Sequence, residues 1–255
     1  MRWALSSWLL LAPFLEQHCA RAEPEPATRP AAASASTARD DDVAREGPIR
    51  IEPLDAAASP PTFVLRGRPR GAQKIVFLHG MCGHGLGYAQ SFQGSAAKRG
   101  TLIAPQGDVP CGAGPWAKWS SDVKALDRRI TEAFRALGHA EPITDVIAIG
   151  YSQGATRVET LARLFPERYT RLVLIGGPQP ANPRGLRGLR GAVAMAGDHD
   201  RRDLMRQSAQ ALAAAGVPAT FFVMPDASHG SMGSRPEQTM DEVFRWLAEH
   251  ERRPR

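Results

Sequence analysis

From residue 60 onward the chain alternates short apolar runs with longer segments whose apolar side chains recur every three or four positions. The short runs cover 62–65, 74–78, 101–104, 145–149, 172–175, 191–194 and 220–224. Most are unbroken stretches of β-branched and aliphatic residues, a pattern that predicts strands buried on both faces of a parallel sheet. Between them, Val123, Leu126, Ile130, Phe134 and Leu137 mark the apolar face of a helix, with Gly138 placed to end it. Val158, Leu161, Ala162 and Phe165 mark a second helix, stopped by Pro166. A last helix carries Met240, Val243, Phe244 and Leu247, and Ser234 with Glu237 ahead of it reads as a capping box. Strands alternating with helices over short links predict one α/β domain, with a doubly wound, mostly parallel sheet and helices on both faces.

The first 48 residues follow a different pattern. Arg2 precedes an apolar stretch from Trp3 to Leu15, too short to span a membrane but suited to the core of a secretory leader. The small-x-small triplet Ala20-Arg21-Ala22 predicts cleavage after Ala22. Gln17 and His18 before Cys19 do not fit a lipoprotein signal, so the expected product is exported (periplasmic or secreted), not lipid-anchored. An amphipathic N-terminal helix is the alternative. Residues 23–48 are rich in Ala, Pro, Ser, Thr, Arg and Asp, with almost no large apolar side chain. Such a segment cannot offset its ordering entropy by burial, and a disordered tether is expected. The organisation read from sequence is therefore leader 1–22, linker 23–48 and folded domain 49–255.

Composition narrows the function classes. At 43% hydrophobic and 23% charged, the chain is no coiled coil, collagen-like repeat or multi-span membrane protein. Lys+Arg 32 against Asp+Glu 26 gives a net charge of +6. The basic residues are overwhelmingly Arg and scattered, with no basic stripe interleaved with aromatics, which argues against a nucleic-acid partner. The basic balance survives loss of the leader, whose charged side chains are Arg2, Arg21 and Glu16.

Chemistry enters at Gly150-Tyr151-Ser152-Gln153-Gly154, directly after one strand run and before a helical one. A serine in a tight strand-to-helix turn needs small residues at both flanks, and the turn exposes its hydroxyl at the strand tip. The bland alternative is a glycine-rich turn. Serine is a weak nucleophile until a base takes its proton, and the order expected on such a sheet is Ser, acid, His. Of the downstream histidines, His250 falls in the polar C-terminal tail and His199 is wedged between two aspartates. His229 stands in a loop after the last strand run and is the expected base. The acid, needed to fix the imidazole tautomer, belongs after the penultimate strand, where Asp198 and Asp200 are not separable by spacing and Asp226 is more remote. One oxyanion donor is expected from the backbone of Gln153, and a second from the loop His79 to Gly87, which holds Gly80, Gly83, Gly85 and Gly87. A phosphate-cradling loop is the rival, but the segment lacks a Lys-Ser/Thr ending and a G-x-G-x-x-G frame.

With Phe77-Leu78-His79-Gly80, Ala104-Pro105-Gln106-Gly107, Trp119, the Ser152 pentapeptide and Gly197-Asp198-His199-Asp200, the chain resembles the α/β-hydrolase superfamily, and within it the phospholipase/carboxylesterase and acyl-thioesterase-like branch. The resemblance runs from the 74–78 strand to the last helix. It implies Ser152 as nucleophile, His229 as base, Asp200 rather than Asp198 as acid, and Met81 and Gln153 as oxyanion donors. Two stretches depart from the family pattern: Gly154 is followed by Ala155 and Thr156, and the segment 110–116 has no counterpart. On the same footing Cys82 and Cys111 fall in loops past neighbouring strands. An exported protein would bridge them, closing a loop of about 30 residues worth roughly 3–4 kcal/mol. Two free thiols are the alternative. Trp116 and Trp119 are expected either to wall the substrate site or to pack in the core. The segment 176–190 leaves no room for a large lid. Its Arg184, Arg187 and Arg190 form a solvated basic face or meet an anionic substrate.

The expected activity is that of an exported serine esterase acting through an acyl-enzyme on a small-molecule ester. No metal or organic cofactor is implied, and no stable membrane insertion. A peptidase or amidase on the same scaffold and a catalytically silent surface-binding module are the competing readings.

Overall fold

The computed structural model describes residues 49–55, 58–67 and 73–252. The expected leader and linker lie outside the described residues. In chain order the elements are β1 (Glu52–Pro53), β2 (Thr62–Leu65), β3 (Gln73–Leu78), α1 (Gly85–Gln90), α2 (Gln93–Arg99), β4 (Gly100–Pro105), β5 (Val109–Pro110) and β6 (Ala117–Lys118). There follow α3 (Val123–Ala136), β7 (Val146–Tyr151), α4 (Gln153–Leu164), β8 (Tyr169–Ile175), β9 (Gly191–His199), α5 (Arg202–Ala214), β10 (Ala219–Ser228) and α6 (Pro236–His250).

Eight strands form one sheet in the order β1-β2-β4-β3-β7-β8-β9-β10. The β1–β2 and β2–β4 pairs are antiparallel and every other pair is parallel. The apolar runs are continuous because alternate residues enter two different cores. Val76 and Leu78 of β3 and Ala148 of β7 face α3, α4 and α5, whereas Ile75, Phe77, Ile147 and Ile149 face α1, α2 and α6. The chain leaves β3 to one side for β4 and crosses back to the other side for β7. That reversal opens a crevice at the C-terminal tips of β3 and β7, the position where α/β sheets bind ligands.

Local expectations hold in most places. Gly138 takes φ +82 after α3, and His139 N–H donates to Phe134 O, closing the helix as expected. No helix or strand lies between β8 and β9 among the described residues, so no large lid stands there. Two expectations are corrected. Asp145 is not in a strand; it sits at φ +61 just before β7, with its carboxylate held by Thr170, Arg171 and Arg190. The capping box at Ser234 and Glu237 does not form. Pro236 opens α6, Ser234 Oγ donates to Asp226, and Glu237 reaches across to α2, where it accepts from Gly94 N–H (2.7 Å) and Ser95 N–H (2.6 Å).

Far from the crevice, Arg171 (3% exposed) and Arg190 each bind both Asp145 and Glu251, tying the end of α6 to the starts of β7, β8 and β9. Arg190 is thereby withdrawn from the basic face expected of it.

Candidate active site

Ser152 stands between β7 and α4 at φ 51 and ψ −112, a conformation that L-residues rarely adopt. The flanking glycines permit it. A Cβ on Gly150 would stand 2.3 Å from Gly154 O, and one on Gly154 would stand 2.0 Å from Leu78 O. The strand tip, the turn and the helix start can therefore close on one another only with bare backbone at both positions.

The turn aims Ser152 at the loop after β10. His229 Nε2 lies 3.1 Å from Ser152 Oγ, and His229 Nδ1 lies 2.9 Å from Asp200 Oδ2. With its proton on Nδ1, the imidazole donates to the carboxylate and accepts from the serine hydroxyl. Asp200 (side chain 5% exposed) is oriented by Arg201 N–H, which donates to its second oxygen at 2.7 Å. Of the two aspartates that spacing does not separate, Asp200 meets His229 and Asp198 does not. Asp198 instead accepts from Asp226 N–H and Ala227 N–H, bracing the bulged end of β10 that carries the histidine loop.

Asp198, His199 and Asp226 place three possible metal-ligand atoms within 4.8 Å of one another. Both carboxylates already accept hydrogen bonds, Asp198 from the backbone of Asp226 and Ala227 and Asp226 from Ser234 Oγ. His250 stacks on Trp246 at the end of α6, away from this group.

Three supports of the histidine were not given roles by the sequence. Gly176, at φ +54 after β8, lies beneath the Asp200–His229 pair, where a Cβ would come within 3.1 Å of Asp200 Oδ2 and 3.4 Å of the imidazole. Tyr151 accepts from Gly230 N–H at 2.7 Å, and burial pushes its hydroxyl pKa up to about 12, so it stays protonated. Tyr88 of α1 packs on the Tyr151 ring with centroids 5.0 Å apart and donates to Gly230 O. Their signals were weak: a strand-end glycine, a residue inside the pentapeptide, and a tyrosine in a helix too short to show periodicity.

The glycine-rich loop after β3 lies against Ser152, since a Cβ on Gly80 would stand 3.3 Å from Ser152 Cβ. Among the described residues, no carbonyl or side chain engages the N–H of Met81 or of Gln153. His79 fixes the root of the loop. It donates from Nδ1 to Gly80 O at 2.7 Å and accepts Gly107 N–H at Nε2, 2.9 Å away. Burial pulls its pKa down from 6.5 to about 4, which keeps Nε2 free of a proton for that second bond. Gln106 (4% exposed) accepts from Gly85 N–H and donates to Gly83 O and Pro115 O.

Cys82 and Cys111 form a disulfide with Cα atoms 5.5 Å apart. It joins the loop after β3 to the β5–β6 hairpin, which the sequence did not signal because its strands have two residues each. Of the two places expected for Trp119, the structure shows packing and not the substrate wall. It is buried (4% exposed), donates from Nε1 to His79 O at 2.7 Å, and packs tilted against the His79 ring. Its backbone is held in turn by the side chain of Gln153. Trp116, by contrast, is 50% exposed and separates two surface grooves. A groove of about 650 Å³ runs past the disulfide to Lys118, and one of about 320 Å³ runs past Tyr88 and Gly230.

No protein-family model matches the chain, and no curated protein matches its sequence. Solved structures do match. The fluorophosphonate-binding serine hydrolase FphF of Staphylococcus aureus, with substrate bound, is 12% identical at TM-score 0.59, over 79% of this chain and 99% of that one. Esterase LipW of Mycobacterium marinum is 17% identical at TM-score 0.57, over 80% and 82%. Naproxen esterase of Bacillus subtilis is 14% identical at TM-score 0.56, over 78% and 92%. The sheet order, the strand-to-helix turn at Ser152 and this structural likeness agree, and the chain has the α/β-hydrolase fold.

Proposed function

We propose that the chain is a serine hydrolase that cleaves carboxylic esters through an acyl-enzyme on Ser152. The observation that carries this reading is the hydrogen-bonded line from Ser152 Oγ through His229 to Asp200, set at a strained strand-to-helix turn. Ser152 Oγ attacks the ester carbonyl carbon as His229 Nε2 takes its proton, and Asp200 stabilises the imidazolium. The carbonyl oxygen, now negative, is received by the N–H groups of Met81 and Gln153 at the start of α4. The C–O bond to the alcohol breaks, and His229 returns the proton to the leaving oxygen. Water, deprotonated in the same way, then attacks the acyl carbon and releases the acid and free Ser152. The esterases and serine hydrolase among the structural neighbours support the ester reading.

Ser152→Ala tests it. The variant is expected to lose fluorophosphonate labelling and at least about 10⁴-fold in p-nitrophenyl acetate turnover, with an unchanged circular dichroism spectrum. Undiminished turnover would remove Ser152 from the mechanism. Export belongs to the same proposal, supported by the leader-like pattern of residues 1–22 and by a disulfide of the kind that persists in oxidising compartments. N-terminal sequencing of the protein from the culture medium or periplasm is expected to begin at Glu23.

A further inference from the structure

The smaller groove has a composition that selects its occupant. It is lined by the rings of His84, Tyr88 and Trp116, by the thioether of Met232, and by Ser91 and Gly230 among others. None of its lining residues is an Asp, Glu, Lys or Arg. Burial lowers the pKa of His84, which favours its neutral form. Its two side-chain hydroxyls are already engaged, Tyr88 Oη donating to Gly230 O and Ser91 Oγ to Tyr88 O. An unpaired charge entering here would lose hydration without gaining a partner. A flat apolar ring would instead meet aromatic faces and a sulfur, both favourable neighbours. At about 320 Å³ the groove is at the small end of ligand sites and fits a ring system rather than a long chain.

Its position assigns it to one side of the ester. Gly230 follows His229 directly, and Tyr88 packs against Tyr151, whose ring centroid is 5.7 Å from that of His229. The leaving oxygen must come to His229 Nε2 to be protonated, so the group attached to it is the one that lies along the histidine loop. We infer that the groove bounded by Trp116, His84, Tyr88 and Met232 is the leaving-group site, and that it takes the uncharged aromatic alcohol portion of the ester. The inference rests on the hydrolase reading above and adds the substrate class and the side of the ester on which it is read.

Three acetate or methyl esters test it with the wild-type protein. Benzyl acetate and ethyl acetate release alcohols of similar acidity, so their ratio reports recognition of the ring. Methyl phenylacetate has the same atoms as benzyl acetate with the ring moved to the acyl side. Benzyl acetate is expected to exceed both of the others in kcat/KM by tenfold or more. Trp116→Ala, at an exposed position, is expected to bring the benzyl-to-ethyl ratio close to one, and Trp116→Phe to preserve most of it. Equal rates for benzyl and ethyl acetate, or a preference for methyl phenylacetate, would overturn the assignment if Ser152 still reacts with a fluorophosphonate, and the hydrolase reading would stand. Absence of both labelling and turnover would overturn the hydrolase reading and the groove assignment with it.

Discussion

Two aspartates two residues apart perform different tasks. Asp200 holds the imidazole, whereas Asp198 holds the backbone of the loop that carries it. Their amide variants should therefore fail differently. Asp200→Asn presents an N–H or a single oxygen to Nδ1 and disturbs the tautomer, so kcat is expected to fall by about 10⁴-fold with little change in the urea midpoint. Asp198→Asn keeps one acceptor oxygen and leaves one of two loop N–H groups unpaired. It is expected to lower the urea midpoint relative to wild type with a much smaller loss of kcat. Reversed results would exchange their roles. Spacing could not distinguish the pair because both follow the same apolar run; β9 continues through Asp198 to His199, and Asp200 is the first residue past its end. His79 was hidden for a related reason. Its two ring bonds run to Gly80 O and Gly107 N–H, and the second partner stands at the end of another strand.

At the scale of elements, the central strands were legible where both faces enter the two cores, whereas β1 and the polar ends of β8 (Thr170, Arg171) and β9 (Asp198, His199) were not. Nor were the hairpin β5–β6 and the helices α1 and α2. Two to seven residues are too few for either period to show, and α1 contains Gly85 and Gly87. The misplaced capping box has a clear cause. Ser234 and Glu237 have the required spacing, but Pro236 sets the first turn of α6, and the carboxylate takes up the first-turn N–H groups of α2 instead. One side chain from α6 therefore serves as the cap of a helix 142 residues earlier in the chain. Glu237→Ala is expected to lower the unfolding free energy by about 2–3 kcal/mol, since Gly94 N–H, Ser95 N–H and Ser95 Oγ all lose a charged acceptor. A urea midpoint equal to wild type would show that α2 needs no such cap.

Across the whole molecule, the basic balance acquires a structural account. Arg129 donates to Pro60 O and Gln106 O, Arg157 to Trp119 O and Ser120 O, and Arg252 to Arg187 O. Carbonyls accept these bonds without cancelling the charge, so part of the surplus of arginine goes into pinning loops. The sequence showed the surplus but not its partners, because a carbonyl acceptor leaves no mark on composition. Several of these pins converge with the disulfide and Gln106 on the segment 106–120, so the β3 loop beside Ser152 is backed by a rigid neighbour. The strained turn at Ser152 has a consequence for the chain's stability as well as its chemistry. Glycine accepts φ 51 freely, whereas alanine and serine resist it. Ser152→Gly is expected to melt about 2–4 °C above Ser152→Ala, corresponding to about 1 kcal/mol; equal melting temperatures would mean that the turn holds no such tension. The turn therefore sets backbone ease against side-chain chemistry at one position: glycine at 152 would relieve the strain and remove the hydroxyl that the proposed reaction needs.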